Sequence, residues 1–438
     1  MFKKAFQRGR SERGGESYSL SYVEPQSDAR TKLEDFFNIL VAHMDTICHI
    51  ITKLELGGAQ EVALYAVSHL DRTRFRPVLV AGPGGLLTEE ARRLPGVQTV
   101  ILPALGRRIH AVTDVLAFLH LIILLHRLKP AIVHTHSSKA GILGRWAAWC
   151  ARVPVIVHTV HGFGITPAQP LWMQRFFIVL ERITGWMTAH WITVADVDAA
   201  KGRRWGLFDK NVSTIRPGID PSPFRQPLHP DVRRDLRNEL GIGSGEYLIG
   251  TVACLKPQKA PEDVIAVARL VCARMPTARF VLIGDGELRR PIEALIERHG
   301  LQEKVRLAGW RRDMPRAMAC FDLLLLTSRW EGLPRVMLEA ASAGVPIVAT
   351  RVGGVEEAVV RRDGVRLCEA GDIDGLAAGI EALLSTCRAT AAQAAGSESL
   401  PKEFHIEEMV KQYQSLYDRL LSQQRDKLTS RWFSPASS

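Results

Sequence analysis

The stretch Ser328 to Thr350 reads SRWEGLPRVMLEAASAGVPIVAT and follows the apolar run Leu323–Leu326. Four leucines bounded by a turn fit a strand buried on both faces, as in a parallel sheet. Gly332-Leu333-Pro334 then opens a helix, because proline suits the first turn, whose amides have no intrahelical partner. A second apolar run, Pro346–Ala349, closes a strand–helix–strand unit. Glu331 falls in the turn, and Glu339 about two turns into the helix. Free amides and the dipole at a helix start form an anion seat, and a carboxylate accepts hydrogen bonds from hydroxyls. The segment therefore offers an anion seat flanked by two hydroxyl-gripping carboxylates. The competing reading, a capping glutamate and a surface glutamate on an ordinary helix, has equal standing for these residues alone.

The same alternation extends both ways. Strands are expected at Ile47–Thr52, Arg76–Ala81, Thr99–Leu102, Ala131–Thr135, Val155–Thr159 and His190–Val194, and after a break at Tyr247–Ala253, Arg279–Ile283 and Val305–Ala308. Amphipathic runs such as Ala59–Leu70, Gly141–Ala151, Trp172–Thr188 and Pro261–Arg274 lie between them. This spacing predicts α/β architecture with parallel sheets covered by helices. The break, Arg216 to Pro230, is RPGIDPSPFRQPLHP, whose prolines forbid a continuous helix or a central strand. Two α/β halves joined there imply a cleft between the carboxyl ends of their strands. The predicted division is a loosely ordered extension over 1–43, domains over 44–218 and 219–405, and a helix and tail over 406–438. Met44, directly before the first strand, is an alternative start.

The 438 residues are 46% hydrophobic and 24% charged, which excludes disorder for most of the chain and any fibrous class. No uninterrupted apolar run reaches the length of a spanning helix. The apolar helix Val112–Leu128 reads as a core helix in preference to a membrane-dipping one. Seven scattered cysteines without metal-finger spacing suggest thiols in a reducing cytosol, and the start MFKKAF lacks the apolar core of a signal peptide. Net charge is +11. Residues 44–216 hold 20 Lys/Arg against 11 Asp/Glu, whereas 217–438 hold 30 against 29. A basic first half points to an anionic partner. No aromatic-basic interleaving supports nucleic acid. Arg107, Arg108, Arg145, Trp146, Trp149, Arg175, Arg203 and Arg204 are candidates for membrane-surface contact.

Several weaker signals reduce to structure. Asp196-Val197-Asp198 begins a helix after a strand, where acidic residues cap, and this outweighs a metal reading. His134 and His136 point the same way from a strand end, but no third zinc ligand is apparent. No P-loop, G-x-S-x-G or post-strand G-x-G-x-x-G is present.

Seven segments in order, from about Ile47 to Tyr417, resemble glycosyltransferase family 4, which has the GT-B fold of two Rossmann-like domains. They are Leu56-Gly57-Gly58-Ala59-Gln60, His134-Thr135-His136 with Ser137–Gly141, His158-Thr159-Val160-His161-Gly162, Arg216-Pro217-Gly218-Ile219-Asp220, Gly284-Asp285-Gly286-Glu287, the stretch quoted above, and Gly353-Gly354-Val355-Glu356-Glu357. The resemblance implies transfer of a sugar, with retention, from a nucleotide diphosphate sugar, UDP-linked as first choice. The acceptor implied is a polyprenyl-diphosphate-linked saccharide of surface-polysaccharide synthesis. In that reading Glu331 binds donor-sugar hydroxyls, Glu339 the ribose, and Lys259 the diphosphate. Gly57 and Gly58 allow close backbone approach, Gly332, Leu333 and Pro334 open the phosphate-binding helix, and His161 faces the reacting sugar. The family usually has an arginine five residues before the lysine; here that position is Cys254, with Lys256 near enough in sequence to substitute. No cofactor or metal is implied, and the expected location is the cytoplasm, at the inner face of the membrane. The rival readings are a nucleotide-binding sensor derived from a degenerate transferase and a nucleotide-sugar 2-epimerase.

Overall fold

The computed structural model describes residues 44–107, 109–166, 169–360, 363–390 and 400–433. The extension over 1–43, and with it Arg108, lies outside the described residues. The first domain runs β1 (Asp45–Lys53), α1 (Gly58–His69), β2 (Phe75–Gly82), α2 (Thr88–Arg93), β3 (Gln98–Ile101), α3 (Ala111–Leu128), β4 (Ile132–His136), α4 (Ser138–Cys150), β5 (Val155–Val160), α5 (Leu171–Gly185), β6 (His190–Thr193), α6 (Asp196–Arg204) and β7 (Val212–Thr214). The second runs α7 (Pro230–Glu239), β8 (Tyr247–Val252), α8 (Pro261–Arg274), β9 (Ala278–Ile283), α9 (Arg289–Arg298), β10 (Val305–Gly309), α10 (Met314–Met318), β11 (Leu323–Leu326), α11 (Arg335–Ser342), β12 (Ile347–Thr350), β13 (Val365–Cys368) and α12 (Ile373–Thr390). A final helix, α13 (Ile406–Phe433), follows.

Both sheets are parallel throughout. Their strand orders are β3-β2-β1-β4-β5-β6-β7 and β10-β9-β8-β11-β12-β13. Strand order reverses beside β1 in the first sheet and beside β8 in the second, so each has a crevice at the carboxyl ends of its central strands. Central strands such as Leu323–Leu326 are wholly buried, which explains their unbroken apolar sequence.

The chain passes between the domains twice, and the two passages are joined. Ile219 N–H donates to Phe404 O at 2.9 Å, and Ile406 N–H to Ile219 O at 3.1 Å. α13 then returns to the first domain. Ile406, Met409, Val410, Tyr413, Leu416 and Tyr417 complete a core with Ile47, Val62, Ile132 and Val157. The last helix is thus part of the first domain's core, which its amphipathic sequence did not reveal.

The short edge strands β7 and β13 and the helices α2, α7 and α10 were not foreseen, being short or close to prolines. Residues 353–358 form a 3-10 helix. α11 begins at Arg335, with Pro334 as its extended N-cap. Glu339 therefore stands about one turn in, not two.

Two surface expectations require correction. Arg145 is fully buried. It donates to Glu181 at 2.6 Å and to Gly141 O at 2.8 Å, with its guanidinium 4.8 Å from the Trp191 ring. It is a structural cation inside α4 and has no membrane role. Conversely, α3 is not a core helix. Only Ala117, Leu121 and Leu125 of its 18 residues are buried, and Val112, Val115, Leu116, Leu119 and Ile123 are exposed. By length and composition it could span a bilayer; Asp114, His120 and His126 interrupt the apolar run that the sequence criterion sought. Its inner edge nonetheless packs in the same core as α4 residues Ala140, Ala147 and Ala148.

Removing one partner of a buried ion pair strands the other charge, at a cost of about 3–5 kcal/mol. Arg145→Ala should therefore destabilise the first domain by about that amount, read from urea unfolding, while Arg175→Ala on the exposed side of α5 should change little.

Candidate active site

The loops after β11 and β8 bring Glu331 and Lys259 together. Glu331 forms an ion pair with the Lys259 ammonium and accepts from Ser328 Oγ at 2.5 Å. Thr327 Oγ donates to Lys259 O at 2.9 Å, and Gln258 Nε2 to Trp330 O at 2.9 Å, so the two loops are cross-braced. Lys256 lies beside them. Burial, then the Lys259 ammonium, holds its pKa below the usual lysine value. Two partly buried ammoniums close enough for one to oppose the other's charge form a seat that an anion would relieve.

Cys254 is half-buried here. Burial raises its thiol pKa, while Lys256, Arg107 and Lys259 act on it as cations. Arg107 pairs with Glu55, in the loop after β1, at 3.0 Å. It therefore sits within electrostatic reach of the Lys256–Lys259 seat, a role the sequence did not suggest for it.

Glu339 faces the first domain. Burial pushes its carboxyl pKa up to about 7, with Arg335 opposing and Glu61 adding to the rise. Arg335 crosses the cleft to an ion pair with Glu61 on α1. A Cβ on Gly58 would make only ordinary contact with Arg335, at 3.7 Å, and one on Gly57 would meet just the Gln60 amide oxygen. These glycines leave backbone bare at the cleft; the surrounding protein does not itself demand them.

His161 comes from the loop after β5 and meets the Glu331 loop directly. A Cβ on Gly332 would lie 2.5 Å from His161 O, and one on Gly162 2.7 Å from Gly332 N. Gly162 has φ +102°, which favours glycine. A clasp stands nearby: the Glu357 carboxylate accepts from the N–H groups of Asp196 and Val197 at 2.8 and 2.9 Å, and from Arg216 at 2.8 Å. Asp196 accepts from Thr214 Oγ at 2.6 Å and from Arg216 at 2.8 Å, so its carboxylate is committed to the start of α6. Leu333 and Pro334 are buried in the turn.

The predicted site residues thus form two groups: Lys256, Lys259, Glu331, Gly332 and His161 around the domain contact, and Gly57, Gly58 and Glu339 around the Glu61–Arg335 bridge. Sequence reasoning missed Glu61 and Arg335, the only signal being their places on α1 and α11 beside the matched glycines. It also missed His49. That imidazole lies opposite His134 in the β1–β4 register, giving the group of three with His136 that the sequence lacked; their ligand atoms lie within 4.8 Å of one another.

Residues 56–223 match the family model described as Glycosyltransferase Family 4, and residues 232–395 that described as Glycosyl transferases group 1. The chain is 32% identical over 333 residues to the UDP-Gal:alpha-D-GlcNAc-diphosphoundecaprenol alpha-1,3-galactosyltransferase of Escherichia coli, covering 75% of this chain and 85% of the relative. This chain is a family 4 glycosyltransferase. Its fold is GT-B, as in Anabaena HepE crystallised with UDP and glucose (TM-score 0.71, 20% identity, 86% of this chain and 100% of that one). WaaG, a glycosyltransferase involved in lipopolysaccharide biosynthesis, is also similar (TM-score 0.67, 18% identity, 83% and 98%).

Burial holds His49 to about 3 and His161 to about 4, and His134, His136 and His158 well below the ordinary imidazole value. All five are neutral when folded and gain protons on unfolding below about pH 6.5. The unfolded state binds more protons, so stability falls with falling pH. Each histidine contributes about 1.4 kcal/mol per pH unit once its unfolded form is protonated. Thermal unfolding between pH 7.5 and 5 should show Tm dropping steeply below pH 6.5.

Proposed function

We propose that this glycosyltransferase moves a hexose, galactose in the first instance, from a UDP-sugar to a saccharide carried on a polyprenyl diphosphate, with retention, in surface-polysaccharide synthesis. The observation that carries the reading is the pairing of Lys259 with Glu331 beside Lys256, at the cleft where His161 enters. The E. coli relative, named for UDP-Gal and a diphosphoundecaprenol acceptor, supplies the substrate class.

In this reading Lys256, Lys259 and the start of α11 stabilise the diphosphate as the anomeric C–O bond breaks. Lys256 is the cation that Cys254 does not provide. Glu331 holds the donor sugar's hydroxyls, and its bond to Lys259 ties sugar position to phosphate position. His161 is neutral and offers a hydrogen bond to the sugar. The acceptor oxygen attacks the same face that the leaving group departs, and its proton passes to the departing phosphate oxygen. No side chain forms a glycosyl bond, so trapping a sugar covalently on the protein would overturn this route.

Incubation with UDP-galactose and an N-acetylglucosaminyl diphosphate lipid should yield a lipid-linked disaccharide by mass spectrometry. Lys259→Ala should lower kcat by 100-fold or more, the scale for a group that stabilises transition-state charge. UDP should bind Glu339→Ala at least tenfold more weakly by calorimetry. Only the carboxylate form accepts from both ribose hydroxyls, so wild-type affinity should rise with pH up to about 7 and then level off. UDP binding without transfer to this lipid would reject the acceptor and spare the donor site. Absence of UDP binding would reject the donor assignment.

We also place the acceptor at the membrane surface through the first domain. Leu171, Trp172, Phe176, Val179 and Ile183 of α5 and Trp186 just after it are exposed, as are Val112, Val115, Leu119 and Ile123 of α3. Trp149 and Trp186 meet edge to face at 5.6 Å, and Arg175, Arg203 and Arg204 are exposed nearby in sequence. Exposed apolar side chains in a domain that also carries exposed arginines suit an anionic bilayer. Trp172→Asp with Phe176→Asp should abolish sedimentation with vesicles containing phosphatidylglycerol and leave UDP affinity unchanged. Undiminished sedimentation would remove this surface from the proposal.

A further inference from the structure

Behind His161 runs a continuous line of hydrogen bonds. His161 Nε2 lies 3.0 Å from His136 Nδ1, and His136 Nε2 lies 3.0 Å from His49 Nδ1. His49 Nε2 is 3.2 Å from the Tyr417 hydroxyl, which is 2.5 Å from His134 Nδ1. His134 Nε2 ends the line at Thr159 Oγ, 2.6 Å away. His49, His134, His136 and Tyr417 are fully buried, as is Thr159. The line enters from the cleft, crosses β4 and β1, and reaches the last helix of the chain.

A neutral imidazole has one donor and one acceptor nitrogen. Each of His136, His49 and His134 uses both nitrogens within the line, so on either side of the Tyr417 hydroxyl fixing one proton fixes its neighbours. Three arrangements satisfy every bond: protons all pointing toward Thr159, all pointing toward His161, or converging on the Tyr417 oxygen, which can accept from His49 and His134 together. Each one sets which nitrogen of His161 carries hydrogen. Any other arrangement leaves a buried nitrogen unsatisfied, at the full cost of its desolvation. The three ring pairs are also all occupied, so a metal ion at His49, His134 and His136 would have to displace these bonds.

We infer that Tyr417, acting through His49 and His136, is a positioning residue that holds His161 in one tautomer and orientation at the cleft. The hydroxyl is the one member supplied by the last helix, so docking of α13 and ordering of the catalytic loop are linked. The inference rests on the reading above that His161 faces the donor sugar, but the tautomer itself is measurable without any substrate.

Nitrogen-15 spectra of histidine-labelled protein, assigned with His161→Gln, should show a single His161 tautomer in the wild type. Tyr417→Phe and His49→Gln break the same line at different atoms. Each should convert His161 to a tautomer mixture, and the double variant should add nothing to either single change. Leu416→Ala weakens the same helix's packing without touching the line, and should leave the tautomer intact. With UDP-galactose and the lipid acceptor, Tyr417→Phe should lower kcat about tenfold, with the donor KM within about twofold. A His161 tautomer unchanged in Tyr417→Phe overturns the inference, as does stoichiometric zinc in the purified wild-type protein. Failure of transfer in wild type with the tautomer effects present would count against the substrate assignment alone.

Discussion

Everything in the cleft depends on the backbone contact between the His161–Gly162 turn and Gly332. Neither Gly162 nor Gly332 could carry a Cβ without meeting the other loop's backbone at 2.5–2.7 Å. With the side chains removed, the carboxyl ends of β5 and β11 abut, and His161 and Glu331 enter the same space from opposite domains. The Glu357–Asp196 clasp and the paired passages at Ile219 and Ile406 hold that approach from the sides. A glycosyl donor has its sugar and its diphosphate only a bond apart, so a site drawn from two domains needs this closeness.

Much of the architecture was open to sequence reasoning because parallel strands buried on both faces are written as unbroken apolar runs, and Leu323–Leu326 is the plainest case. The order of the motifs did the rest, since Glu331, Lys259 and His161 occupy positions that no single segment could identify. What stayed hidden was tertiary address. α13 has the same amphipathic pattern wherever it docks, and nothing in residues 406–433 says that Tyr417 reaches β1. Arg145 read as a surface cation because its partner, Glu181, lies on a different helix. His49 sits in DTICHIITK as one polar residue in an apolar strand, and only the β1–β4 register shows that it stands opposite His134.

The same logic applies to the proposed phosphate site. A family arginine is absent at Cys254, yet the local charge is not lost. Lys256 enters the space next to Lys259, and Arg107 contributes from the other domain while held by Glu55. The price of this arrangement falls on Lys256, whose charged form is disfavoured until an anion arrives. Lys259 meanwhile pairs with Glu331, so in the proposed reading one lysine orders the sugar-binding carboxylate while its neighbour Lys256 meets the phosphate.

Glu339 shows the complementary case on the opposite side of the cleft. Burial and Glu61 both oppose the charge of its carboxylate, and Arg335 pairs with Glu61. In the proposed reading ribose hydroxyls donate to this carboxylate. Both ends of the donor, in that reading, meet groups whose charged states burial opposes, the Lys256 ammonium and the Glu339 carboxylate. A nucleotide diphosphate relieves the two together, whereas free phosphate or a nucleoside relieves only one. In the proposed reading, selectivity for the intact donor follows from that pairing, before any contact with the base is considered.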